Sequence, residues 1–181
     1  MDEFAIENVI LSARVADTLD LTQVAKTFPD SKYNPDETPA VILHKIIPTT
    51  SVLMFLANGT ILSTGAKSVQ DAETLIRSTH KMLHTAGIPV IENPTISIQT
   101  LIASHDLNTK LNLRKLAKRL SSTNVEYNPK QFPGLVYKTN DHNTIVLLFD
   151  SGKIICQGPT MEQVSNALQS MKNTLSSNKI I

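Results

Sequence analysis

Tyr127-Asn128-Pro129-Lys130-Gln131-Phe132-Pro133-Gly134-Leu135 has an earlier counterpart in Tyr33-Asn34-Pro35-Asp36-Glu37-Thr38-Pro39-Ala40-Val41, which shares its Tyr-Asn-Pro opening and its second proline. The two lie 94 positions apart. Outward from them the same features recur at nearly the same spacing, 92 near each beginning and 93 after Gly59 and Gly152. So small a drift describes one unit written twice, with short loop insertions. The first repeat reads as residues 1–92 and the second as 93–181.

With 181 residues and 41% hydrophobic side chains, the chain has the material for a real core. Each half alone is small, so the halves are expected to share a sheet. A net charge of +1 neither requires nucleic acid nor excludes it, because a basic strip can be balanced elsewhere. The single cysteine, Cys156, excludes an internal disulfide and argues against a cysteine zinc site. It fits a reducing, cytoplasmic setting. Met1-Asp2-Glu3-Phe4 leads into no signal-like apolar run, and no stretch approaches the ~20 apolar residues of a membrane span.

Each repeat opens on a β-branched strand, 5–15 and 96–104, followed by a short helix capped by Asp20 or Asn112. Apolar runs at 41–46, 52–56 and 60–64, and again at 135–138, 144–149 and 153–157, read as antiparallel meanders. Their turns are marked by Pro48-Thr49, Asn58-Gly59, Asp141-His142-Asn143 and Ser151-Gly152. A longer helix closes each repeat, one capped by Ser68 and ended by Gly87, the other opened by Thr160 with Gln163. Residues 176–181 read as a frayed tail.

These strands fail to alternate. Helices cover one face of an antiparallel sheet, and the other face is normally polar. Val52-Leu53-Met54-Phe55-Leu56 and Ile145-Val146-Leu147-Leu148-Phe149 are apolar at every position, so a second apolar face needs a cover. A bound partner is one cover; a homodimer of the free protein through the same face is the bland alternative.

The repeats, with Phe132-Pro133-Gly134-Leu135-Val136-Tyr137-Lys138, Leu147-Leu148-Phe149-Asp150-Ser151-Gly152-Lys153 and Thr64-Gly65-Ala66-Lys67-Ser68, closely resemble the TATA-box-binding protein family. Ile91-Glu92-Asn93-Pro94 and Ile96-Ser97-Ile98-Gln99 resemble its archaeal branch. The resemblance implies an α+β fold, a pseudo-twofold saddle of ten curved antiparallel strands with helices on the convex side. It implies a transcription initiation factor that lays the concave face on the minor groove of double-stranded A/T-rich promoter DNA, bends it, and recruits transcription factor B and, indirectly, RNA polymerase.

Carried over residue by residue, the family's paired wedge phenylalanines fall on Phe132 and Phe149 in the second repeat. In the first they fall on Thr38 and Phe55, so a weaker kink is expected there. The apolar groove contacts fall on Ile10, Leu53 and Leu62, and on Ile102, Leu147 and Ile155. The central hydrogen-bonding positions are Asn8 and Thr100, flanked by Thr64 and Gln157. Phosphate contacts match Lys138 and Lys153, while the first repeat holds His44 and Thr60 there. The surface for transcription factor B falls on Glu126, Lys130 and Gln131, with Lys130 standing where the family carries an acid.

Bland readings stand beside these. Phe55 and Phe149 lie in apolar runs and read equally as core. Tyr33 and Tyr127 read as loop braces. His80 and His84 share the i, i+4 spacing of a zinc pair but lack a third ligand, and they read more simply as a solvated helix flank. Cys156, out of phase with Ile155 and Gln157, should face the helices. No nucleophile elbow, phosphate loop or acid–base set is present, so no enzyme and no cofactor are expected. A second functional reading keeps the same fold but makes it a protein-interaction platform or regulator with altered DNA binding. An accessory domain for a nuclease or glycosylase is the weakest reading, with no enzymatic domain attached.

Overall fold

The structure is a computed structural model and describes residues 4–46, 50–120, 124–139, 143–178 and 180. Pro48-Thr49 and Asp141-His142 of the expected turns lie outside the described residues. The first repeat contains β1 (Ala5–Arg14), α1 (Leu21–Thr27), β2 (Ala40–Lys45), β3 (Ser51–Leu56), β4 (Thr60–Ala66) and α2 (Val69–Thr85). The second contains β5 (Ile96–Asp106), α3 (Leu113–Leu120), β6 (Val125–Glu126), β7 (Leu135–Lys138), β8 (Ile145–Leu148), β9 (Lys153–Gly158) and α4 (Met161–Ser177).

All pairings are antiparallel, in the order β2-β3-β4-β1 for the first set and β5-β9-β8-β7-β6 for the second. Nine strands are present among the described residues, where the resemblance implies ten. The missing one is reduced rather than lost. Lys32 makes an isolated bridge to Ile42, at the place where Glu126 of β6 pairs with Val136.

Two compact units emerge, one of Asn8–Gln99 and one of Met1–Glu7 with Thr100–Ile181. The first residues of β1 and β5 thus belong to the unit of the other repeat. Side chains show why. In one unit the Ser104 hydroxyl donates to Glu7 Oε1 at 2.5 Å, and Lys153 Nζ stands 3.9 Å from the same oxygen. In the other, Gln99 Nε2 donates to Ser12 Oγ at 2.8 Å.

The helix starts follow the expected chemistry. Asp20 Oδ1 accepts from the Thr22 and Gln23 amides, Asn112 Oδ1 from Lys115, Ser68 Oγ from Asp71 and Thr160 Oγ1 from Gln163. Each satisfies an amide that the first helical turn leaves without a partner. α2 ends in a Schellman motif, with Gly87 N–H donating to the His84 carbonyl and Ile88 N–H to that of Leu83. α4 runs on through Ser177, so the expected tail begins later than the sequence suggests.

The turn at Gly59 and its counterpart at Gly152 fix the register of each meander. Both glycines have positive φ, 84° and 95°. A Cβ would stand 1.9 Å from the Ala16 carbonyl oxygen at the first and 2.0 Å from that of Thr109 at the second, so no other residue fits. Gly59 N–H donates to the Leu56 carbonyl, and Gly152 N–H to that of Phe149. Leu56 and Phe149 therefore occupy one and the same turn position.

Burial then alternates along β3, β8 and β9, as the two-residue period requires. Leu53, Phe55, Ile61 and Leu43 are buried toward α1 and α2, and Val146, Leu148, Ile154 and Cys156 lie on the α4 side. The Phe55 ring stacks on Phe28 at the end of α1, with centroids 5.2 Å apart. Burial pushes the Cys156 thiol up to about 12.

Phe55→Ala removes a fully buried ring and should cost about 3–5 kcal/mol of stability in denaturant titration; a loss below about 1 kcal/mol would contradict the core assignment. Cys156 should resist a disulfide reagent at pH 8 until the chain unfolds. Because the unfolded thiol loses its proton first, Cys156 contributes a stability that falls as pH rises from 9 toward 12. Rapid native labelling would overturn this.

Candidate nucleic-acid interface

The Tyr-Asn-Pro elements form the same turn twice, and the asparagine builds it. Asn128 Oδ1 accepts from Lys130 N–H at 3.3 Å, while its carbonyl accepts from Gln131 and Phe132 N–H at 3.0 Å each. Asn34 does the same for Asp36, Glu37 and Thr38, at 3.2, 3.1 and 2.9 Å. This residue holds the loop in a fixed arc with proline behind it. What the arc presents differs: Phe132 in one unit and Thr38 in the other.

Phe132 is 38% exposed and meets Phe149 edge to face, with centroids 6.0 Å apart and planes at 69°. The ring pair ends the open face of its unit. That face continues through Leu147 beside Ile155, Ile145 beside Gln157, and Ile102 beside Gln157. Thr100 is in phase with Ile102 along β5. Lys138, opposite Ile145, extends from the edge. Lys153 is also in phase with this face, yet it is drawn toward Glu7 rather than standing as an isolated cation.

In the unit of Asn8–Gln99, the open face carries Ile10, Leu62 and Thr64, as expected. Asn8 is fixed there: its Nδ2 donates to Thr64 Oγ1 at 3.0 Å and its Oδ1 accepts from Gly65 N–H at 2.7 Å. A register irregularity between Val9 and Leu11 brings Gly65 to it. The second unit pairs β5 and β9 without interruption, and Thr100 and Gln157 make no comparable contact among the described residues.

Two expected groove residues are misplaced and must be corrected. Leu53 and Phe55 are fully buried on the helix side. A shift of one residue along a strand exchanges its faces. Spacing counted from Thr38 leads to Phe55, but the insertion lies before the strand. Spacing counted back from Gly59 leads to Leu56 and Met54, the partners of Phe149 and Leu147. Val52, Met54 and Leu56 are the half-exposed residues of β3, and Met54 sits beside Leu62. The open-face residues missed from the sequence are these three with Ile145 and Val136, and the 93-residue spacing at the glycine turns is the signal that locates them.

Glu126, Lys130 and Gln131 are exposed, the first in β6 and the others in the Asn128 turn, where the Gln131 amide oxygen accepts from Asn128 Nδ2 at 3.1 Å. Away from this face, His80 Nε2 is 2.8 Å from the Ile91 carbonyl oxygen. No helix is long and apolar enough to cross a membrane among the described residues.

A family model described as transcription factor TFIID, or TATA-binding protein, matches residues 3–86 and 95–177. The TATA-box-binding protein of Archaeoglobus fulgidus is 39% identical over 84% of this chain and 83% of its own length. That of Thermoplasma volcanium is 37% identical over 96% of this chain and 95% of its own. A solved structure of the Methanococcus jannaschii protein aligns with a TM-score of 0.85 at 38% identity, covering 97% of this chain and 99% of that one.

The face assignment has a direct chemical test. In a chain with Cys156→Ser, Leu56→Cys should react with a maleimide in the native state and Phe55→Cys only after unfolding. Equal native rates would invalidate the parity on which the interface rests.

Proposed function

We propose that this chain, which belongs to the TATA-binding-protein family of transcription factors, binds A/T-rich promoter duplex in the minor groove through the open faces of its strands and bends it. The bent complex then recruits transcription factor B and, through it, RNA polymerase. The observation that carries this reading is the half-exposed apolar face ending in the Phe132–Phe149 ring pair. Minor-groove edges are a degenerate set of acceptors, so a surface that reads them works by shape, deformability and van der Waals contact. Asn8 and Thr64 supply hydrogen-bonding groups on the open face of their own unit.

The two units contribute unequally. Unstacking a base step costs a few kcal/mol, and flat apolar side chains inserted at the step offset it. Phe132 and Phe149 provide two rings in one unit, whereas Thr38 and Leu56 provide none in the other. We therefore expect the main kink under the Phe132–Phe149 pair. Phosphate contact is also uneven, with Lys138 matched in the other unit by His44.

End-to-end fluorescence transfer in a TATA-containing duplex, at two salt concentrations and with or without the host's transcription factor B, tests the reading. Binding should weaken with salt and bring the duplex ends together. Phe132→Ala and Phe149→Ala should remove most of the bend, Leu56→Ala much less, and Lys138→Ala should lower the salt slope by roughly one. No binding or bending even with the partner factor would leave the fold as a protein-interaction platform.

A further inference from the structure

Resting on the minor-groove reading above, we propose that the two units select base pairs differently: Asn8 holds its half-site to A·T, whereas Gln157 lets its own half-site accept a G·C pair. An A·T pair shows the minor groove only acceptors, and a G·C pair adds one donor, the guanine N2 amino group. A side-chain amide carries both kinds of partner, an oxygen that accepts and an NH2 that donates. Which end faces outward therefore decides which pair it reads.

For Asn8 the backbone makes that choice. Gly65 N–H stands 2.7 Å from Oδ1, and a backbone N–H only donates, so the oxygen has to face it. Oδ1 is also 3.3 Å from Thr64 Oγ1, while Nδ2 donates to the same hydroxyl at 3.0 Å. Turning the amide over would set NH2 against N–H, donor to donor. The oxygen is thus engaged within the unit, and the group left over is the second Nδ2 hydrogen. A donor fixed in this way suits an A·T edge and meets a guanine amino group donor to donor.

Nothing fixes Gln157 in the same way. The 93-residue spacing matches it to Thr64, and it is exposed on β9, opposite Ile102 of β5 on one side and Ile145 of β8 on the other. It makes no hydrogen bond among the described residues. Thr100 stands where Asn8 does, and β5 and β9 pair without the irregularity that brings Gly65 to Asn8. The flanking isoleucines offer the amide no partner, so once a duplex excludes water it needs a hydrogen bond from the bases. Oε1 turned outward accepts from guanine, and Nε2 turned outward donates to an A·T acceptor.

The test measures binding of the full chain to TATA-containing duplexes by fluorescence anisotropy, with A·T pairs replaced by G·C or by inosine·C. Inosine lacks the N2 amino group, so the ratio of the two affinities reads that group with overall affinity cancelled. A single G·C pair should bind within about threefold of its inosine counterpart in one half of the site, and G·C pairs at symmetric positions in both halves about tenfold or more weakly. Gln157→Thr, which gives this position the residue of the first repeat, should extend that penalty to the single pair, and thermal melting should show the variant folded. Failure of the parent duplex to bind would overturn the minor-groove reading together with this one. Binding of the parent with the full penalty for every single G·C pair, no penalty for the double replacement, or an unchanged ratio in Gln157→Thr would overturn this one alone.

Discussion

The two-residue period of a β-strand is the constraint on which the rest of this molecule depends. Every apolar run here offers side chains to both faces, and only the register decides which go to the helices. That register is set by the turns at Gly59 and Gly152, where the approach of a carbonyl oxygen leaves no room for a Cβ. From these turns the parity propagates back through β3 and β8, placing Phe55 and Leu148 in the core and Leu56 and Phe149 on the opposite face. An apolar surface left uncovered in this way costs solubility unless something occupies it.

Duplication kept the parts that shape the backbone and let side chains that the backbone does not need diverge. Asn34 and Asn128 make the same turn, Asp20 and Asn112 cap the same helix, and Gln99–Ser12 repeats Ser104–Glu7 with an amide for a carboxylate. Glu7 draws Lys153 toward it, so one apparent phosphate contact is partly spent inside the protein. By contrast, Phe132 is matched by Thr38, Phe149 by Leu56 and Lys130 by Asp36 between the copies. Differences concentrate where the backbone does not need the side chain.

Caps, glycine turns and apolar runs are legible in the sequence because they are local signals, each depending on a few neighbouring residues. The repeat exposes the pairing order, because matching segments have to fold alike. Parity is harder. Val52 to Leu56 has no polar residue to mark its outer face, so hydrophobicity does not separate Phe55 from Leu56, and the spacing has to be counted from one end or the other. A glycine turn with a blocked Cβ is the more reliable origin, since a hairpin loop absorbs insertions and such a turn does not. β6 leaves no signal for a different reason: two residues carry no period, and its counterpart at Lys32 is a single bridge.

The near-zero net charge conceals a division of labour between the copies. In the second, positive charge accumulates along α3 and the Lys130 turn; in the first, Asp17, Asp20, Asp36 and Glu37 take the corresponding region. Summed over the chain these cancel, but at distances beyond about 10 Å in salt each region acts alone. The two copies therefore differ in the charge they carry around their first helices, while their open faces stay alike in being apolar. A duplicated fold thus keeps its open faces alike in hydrophobicity while the charge elsewhere on each copy diverges.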